Sequence, residues 1–390
     1  MDRSILVQLR LKYNAALTPA NIPRDSLVTP ASAHSFLTVF LICALVLVIP
    51  CFSITSRSRY QTVFKVHLAR LTMFVCLSLA LVLLTLILSY CQIYLVAAAD
   101  ESYLFVRSWG GQGSNGGQFV LPHSLAIDPI GNVYVTDTGN NRIEKFNPDG
   151  TLISAWGSEG TGDEQFSQLH DVNVDPKGDF VYTLELGNHR VQKFTSNGTF
   201  VTKWGFENTG GEGASRQPHQ LALDSTGNVY LTDRANSEIL VFDSNGKYLM
   251  RWGSRGTNEG QFIKPHGIAF NSKDHLYITD MGNSRVQEFY KNGSFITMWG
   301  SLGQQHQSMF SNSIPGIAID ESDNVYVIDR QQSIIQKFDG NGKFITMWGS
   351  KGTVSGTMQK PEDLAINLRT GNVYVTDTKN SRIQEFSLAG

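Results

Sequence analysis

The sequence predicts an all-β, six-bladed β-propeller, closed by its own termini and preceded by a two-helix transmembrane hairpin. Three observations carry this. All six tryptophans stand in Trp-Gly dipeptides, at Trp109, Trp156, Trp204, Trp252, Trp299 and Trp348, separated by 47, 48, 48, 47 and 49 residues. A fixed period of that length marks a repeat architecture. Each period divides into four short β-rich runs. The first hundred residues, by contrast, hold two long stretches without a charge.

The first repeat shows the pattern. His123-Ser-Leu-Ala-Ile-Asp128 runs into the turn Pro129-Ile-Gly131, and Asn132-Val-Tyr-Val-Thr-Asp137 follows. Thr138-Gly-Asn-Asn141 then opens onto Arg142-Ile-Glu-Lys-Phe146, and Asn147-Pro-Asp-Gly150 turns the chain into Thr151-Leu-Ile-Ser-Ala-Trp156. The turn residues suit tight antiparallel connections, so four strands per repeat make one propeller blade. Gln118-Phe119, Gln165-Phe166 and Gln261-Phe262 close glycine-rich connections between repeats. Their Phe and the repeat Trp read as packing between blades, because one isolated sheet cannot bury both faces.

The ends set the blade count. The last repeat stops at Phe386-Ser-Leu-Ala-Gly390 without a fourth strand, whereas Tyr103-Leu-Phe-Val-Arg-Ser-Trp109 is a spare strand resembling Phe295-Ile-Thr-Met-Trp299. The spare strand is expected beside Arg382–Phe386, which closes the ring and removes its open edges.

Asp137-Thr-Gly-Asn-Asn-Arg142-Ile and Pro122-His-Ser-Leu-Ala, with their counterparts, resemble the NHL repeats of six-bladed propellers over residues 103–390. That resemblance implies a fold more than a function, since NHL propellers bind proteins, bind RNA, act as sensors and, rarely, catalyse.

Residues 1–35 read as a flexible N-terminal segment. Phe36 to Ile54 (19 residues) and Leu71 to Ala99 (29 residues) carry no charge and read as membrane-spanning helices. The loop 55–70 holds Arg57, Arg59, Lys65 and Arg70 and no acid, which places it in the cytoplasm and the propeller outside or in a lumen. Ala97-Ala-Ala99 also resembles a signal-peptidase site, but the apolar stretch before it is far longer than a signal core. Cys43, Cys51, Cys76 and Cys91 all lie in or beside the spans, so the propeller has no thiol. Eight of the 32 basic and three of the 34 acidic residues precede residue 101, which leaves the propeller seven charges negative. Such a balance argues against nucleic acid as partner.

The residues opening the innermost strands are His123, His170, His219, His266, Pro315 and Glu362. They are expected to converge at one end of the channel. His170, His266 and Glu362, from alternate blades, form a two-His-one-carboxylate set that would suit zinc or calcium. No catalytic residue is assigned. Arg234 and Arg330 flank the set and are expected to replace the blade arginine that Glu238 and Ile334 displace. The corresponding pairs Asp137/Arg142, Asp280/Arg285 and Asp377/Arg382 read as ion pairs within blades. Asn197-Gly-Thr199 and Asn292-Gly-Ser294 are glycosylation sequons that also suit hairpin turns.

The function favoured is a membrane-anchored module that binds or senses a protein, peptide or small ligand. Its site would be His123, His170, His219, His266, Glu362, Arg234 and Arg330, on the face opposite the start of Tyr103 and so away from the bilayer. The channel histidines and the Asp-Arg steps also resemble the peptidyl-α-hydroxyglycine α-amidating lyase, which implies a metal-dependent lyase or hydrolase as alternative. However, the catalytic Tyr and the cysteines of that lyase have no match here. An RNA- or protein-binding domain of the tripartite-motif kind is a second alternative, although no RING or B-box lies upstream.

Overall fold

The computed structural model describes residues 101–206, 209, 216–303 and 309–389, with positions 71, 73, 75, 78, 80, 82 and 85. Two compact units result, Met1–Ala98 and Ala99–Gly390. In the first, the seven described positions are helical, and Leu71, Met73, Val75 and Val82 are exposed. The expected span 36–54, the loop 55–70 and the rest of 71–99 lie outside the described residues. Among the described residues no helix is long and apolar enough to cross a membrane.

The second unit is a six-bladed propeller of four-stranded antiparallel sheets. Blade one runs outward from the channel as Pro122–Ile127, Val133–Asp137, Arg142–Phe146 and Leu152–Trp156. Blade six takes Pro361–Asn367, Asn372–Asp377 and Arg382–Leu388 from the C-terminus and Tyr103–Gly110 from the N-terminus. Tyr103 pairs with Leu388 and Gly110 with Arg382, as the complementary ends predict. Asp377 pairs with both Pro361 and Arg382, so Tyr103 lies at the end of its blade opposite Glu362.

Packing between blades follows the Trp-Gly period. Phe119, Phe166, Phe262 and Phe310 are fully buried, whereas the six Trp are half-buried at the edges of the apolar clusters. Trp109, Trp156, Trp204, Trp252 and Trp299 each lie against the outer hairpin of the next blade, and Trp348 lies against Tyr103. A Cβ on Gly198 would stand 2.7 Å from Trp156 Cδ2, and the φ of +90° there already favours glycine. Gly293 under Trp252 is equivalent. The glycine of both sequons is therefore required by packing as well as by the turn. Asn197 and Asn292 themselves are exposed.

The acid ending the second strand of each blade organises the connection above it. Arg142 meets Asp137 at 2.8 Å, Arg285 meets Asp280 at 2.8 Å, and Arg382 meets Asp377 at 2.7 Å. Blade two builds the same pair from Glu185 and Arg190, 2.7 Å apart. Blades three and five depart from expectation. Asp233 is paired with Arg216, which also reaches Glu238, and Asp329 accepts from Ser311 and Gln332. Arg234 and Arg330 do not re-supply the lost charge; they follow the strand-ending acid and turn to the channel mouth.

Blade one contains a misfit that predicts a measurable gain. Gln192, Gln287 and Gln384 each donate from Nε2 to the strand-ending acid and to a carbonyl of the preceding connection. Glu144 holds the corresponding place and accepts from Gly117, but once ionised it cannot donate. Burial pushes its carboxyl up to about 7, assisted by Asp137 and opposed by Arg142 and Gly117. A folded pKa above the unfolded value of 4.5 means stability is full below that value and is lost as pH rises through about 7. Glu144→Gln is therefore expected to stabilise the propeller by about 1–2 kcal/mol at pH 8 and hardly at all at pH 4. Thermal melts followed by tryptophan fluorescence at the two pH values would show it. An equal shift at both would refute the electrostatic account.

Candidate functional site

The innermost strands begin at one end of the ring, and all six blades deliver a residue there. Four imidazoles stand in a row. Ring centroids are 3.9 Å apart for His123 and His170, 4.5 Å for His170 and His219, and 4.6 Å for His219 and His266. The Arg234 guanidinium reaches His219 Nε2 at 3.4 Å. Arg330 Nη1 donates to both carboxylate oxygens of Glu362, at 2.8 and 2.9 Å, and its Nε donates to Ser313. The seven residues singled out from sequence thus share one mouth.

Hydrogen bonding fixes the tautomers. His170 Nδ1 lies 2.8 Å from the His219 carbonyl, and His266 Nδ1 lies 3.0 Å from the Pro315 carbonyl. A carbonyl only accepts, so Nδ1 carries the proton and Nε2 keeps its lone pair. His219 Nε2 accepts from Arg234, which leaves its Nδ1–H buried without a partner among the described residues. Burial lowers the pKa of all four. The neighbouring imidazoles and Arg234 lower His170 and His266 further, and His219 falls to about 2. The imidazoles are therefore neutral at physiological pH.

As a metal triad, His170, His266 and Glu362 are not assembled. Glu362 is committed to Arg330, and the His170 and His266 rings are 6.3 Å apart. Among the described residues no three His, Cys, Asp or Glu side chains are placed to hold a metal ion.

A second layer lies behind the first. Ser124 Oγ is 2.8 Å from Asp363 Oδ2 and also bonds Asp171 Oδ1, while Asp171 Oδ2 accepts from Leu221 N–H. One hydroxyl has one proton, so a carboxyl must supply the other for both contacts to be hydrogen bonds. Burial raises both carboxyls, and the charge of Asp363 raises Asp171 further. Beyond them a 230 Å³ cavity is lined by the innermost strands of all six blades. Ser124, Asp171 and Asp363 were not singled out from sequence, though each directly follows a residue of the first ring.

Fold and site define a six-bladed β-propeller with a polar channel mouth. The NHL repeat matches residues 119–146, 216–242, 262–289 and 358–386, which lie in blades one, three, four and six. Protein wech of Drosophila melanogaster is 44% identical over 45 residues, 12% of this chain and 5% of wech. A protein of unknown function from Bacteroides thetaiotaomicron shares the fold with a TM-score of 0.57 at 17% identity, over 74% of this chain and 76% of that one. A streptogramin B lyase does so at 0.52 and 11%, over 74% of this chain and 98% of its own. A gluconolactonase of Xanthomonas campestris gives 0.52 and 13%, over 75% of this chain and 91% of its own. At these identities the likeness is one of fold alone.

Proposed function

We propose that the chain is a membrane-anchored propeller that binds or senses a ligand at the channel mouth, with the propeller extracellular or lumenal. The observation that carries the binding role is the convergence of polar side chains from all six blades on one rigid rim, the usual setting of a binding face. The mouth histidines, Arg234, Arg330 and Glu362 are its residues. The anchor rests on the charge-free stretches 36–54 and 71–99 and on the exposed Leu71, Met73, Val75 and Val82, which call for an apolar cover.

The alternative is metal-dependent lyase or hydrolase chemistry; two structural neighbours are named a lyase and a gluconolactonase. One feature favours it: His170 and His266 anchor Nδ1 on backbone carbonyls and keep Nε2 lone pairs, as metal-binding histidines do. Metal analysis of the purified full chain separates the two. The binding reading expects no stoichiometric zinc or calcium; one equivalent, lost in a His170→Ala/His266→Ala double variant, would replace it with the enzyme reading. For the anchor, terminal tags on intact cells are expected to be protease-accessible while loop 55–70 is protected. The inverse pattern would reverse the topology, whereas glycosylation at Asn197 or Asn292 in a eukaryotic host would support the extracellular or lumenal propeller.

A further inference from the structure

We propose that the end of the ring opposite the histidines rests on a lipid surface, with Ile130 of blade one and Leu368 of blade six entering the interface. The inference rests on the anchored reading and adds which part of the propeller meets the bilayer. The turns joining first and second strands lie at this end, where Ile127 pairs with Val133, Asn367 with Asn372, and Tyr103 with Leu388. In the place of Ile130, blades two to five expose Lys177, Thr226, Lys273 and Ser322. Large aliphatics therefore stand on two of six equivalent tips, and those two tips are neighbours.

Ile130 is 65% exposed and Leu368 51%. Arg369 Nη1 donates to the Ile130 carbonyl at 3.2 Å, which ties the two tips together. The exposed Pro148 sits against the same turn, its Cγ 3.1 Å from where a Cβ on Gly131 would stand. Leu104 and Leu388, also exposed, lie at this end of blade six. On the exposed turns of the two blades one acid, Asp149, faces one base, Arg369. Charge is balanced there, so apolar area carries the contact, and the long Arg369 stem can lie along it with its head in water.

The occupant follows from where the chain enters. Glu101 is fastened to blade five, its carboxylate by Lys337 and its carbonyl by the Thr346 hydroxyl at 2.6 Å. The Ser102 carbonyl accepts from Ala389 N–H at 2.8 Å. Asp100 alone separates this fixed point from Ala99, where the charge-free stretch ends. Two Cα–Cα steps reach about 7 Å at most, and a headgroup layer is about 5–8 Å thick. An anchored chain therefore holds the blade-six edge of this end at the headgroups. The entering strand belongs to blade six and, through Arg107, grips the Pro148 and Asp149 carbonyls of blade one. The apolar tips stand on the two blades that this strand joins.

Bimane fluorescence on the full chain in phosphatidylcholine vesicles tests this, with Cys43, Cys51, Cys76 and Cys91 replaced by Ser so that each label has one site. Labelled chains are recovered with the vesicles by flotation. A label at Ile130→Cys or Leu368→Cys is expected to shift to the blue, and to lose intensity when part of the lipid carries a nitroxide on its acyl chain. Val354→Cys, in the connection at the opposite end and 68% exposed, is expected to show neither. A variant whose melting temperature falls is replaced by Pro148→Cys. Alkaline carbonate washing of the unaltered chain reads the anchor separately. If that chain withstands the wash and the labels at Ile130 and Leu368 behave as at Val354, the lipid contact is overturned and the anchor stands. A chain that washes off overturns both. A blue shift without nitroxide quenching, together with Ile130→Cys to Ile130→Cys cross-links by a short bismaleimide, assigns the patch to a second copy of the chain and overturns the lipid contact.

Discussion

Replacing Tyr103–Trp109 with a Gly/Ser heptapeptide is expected to abolish cooperative folding of the propeller. This strand belongs to blade six yet fastens both neighbours. Toward blade five, the Tyr103 ring stacks on Trp348 at 3.9 Å and 11°, and its hydroxyl meets that of Tyr326 at 2.8 Å. Toward blade one, Arg107 donates to the carbonyls of Pro148 and Asp149, and Trp109 covers Gly150. Tyr103, Phe105 and Trp109 each bury enough apolar surface to contribute about 1.5–3 kcal/mol. Their sum approaches the roughly 5–15 kcal/mol that holds a whole domain. The substitution also exposes the edge of Arg382–Leu388, a template for aggregation. Tyr103→Ala alone is expected to cost about 2–4 kcal/mol, since it empties the place against Trp348. Guanidinium melts followed by tryptophan fluorescence would measure both. A heptapeptide variant that unfolds in one transition near the wild-type midpoint would show that the ring does not depend on this closure.

The same strand shows how far the fold was legible. The Trp-Gly period fixed the blade count, and the missing fourth strand at one end matched the spare strand at the other. At five blades the Trp lies on a hairpin glycine, namely Gly150, Gly198, Gly246, Gly293 and Gly342. Trp348 is the exception, because blade six has no outer hairpin, and Tyr103 takes the glycine's place.

The site was legible in its first ring and not in its second. Strict alternation would turn Asp171 away from the channel if His170 faces it. In blade two, however, the innermost strand shifts register between Leu169 and Asp171, and blade six shifts between Pro361 and Leu364. Such a bulge redirects consecutive side chains, so residues after the first ring also reach the channel. Sequence carries little sign of it. Arg216 was missed for another reason. It lies 17 positions before Asp233, in the connection rather than the blade, and a long side chain leaves its partner unspecified. Arg234, adjacent to Asp233, was the nearer choice on the page and the wrong one in space.

Asp280→Ala is expected to cost about 3–5 kcal/mol, the range for stripping one partner from a buried ion pair. The carboxylate is fully buried and gathers four donors: Ile263 N–H at 2.7 Å, Asn283 Nδ2 at 2.7 Å, Arg285 Nε at 2.8 Å and Gln287 Nε2 at 3.1 Å. Arg285 in turn holds the carbonyls of Thr257, Asn258 and Gln261, so one carboxylate fastens the whole connection between blades three and four. Without it Arg285 keeps its charge in a site nearly closed to water. A double variant, Asp280→Ala with Arg285→Met, is then expected to be little worse than Asp280→Ala alone, because the second change removes the uncompensated charge. Blade five supplies the internal control. Asp329 is equally buried but is held by Ser311 and Gln332 rather than by an arginine, so Asp329→Ala strands no cation and is expected to cost about 1–3 kcal/mol. Cleavage after Arg255 in limited proteolysis would report the loosened connection in the Asp280 variant and not in the Asp329 variant. Equal losses at the two positions, with additive effects at Asp280 and Arg285, would assign the cost to the shared turn geometry instead of to the ion pair.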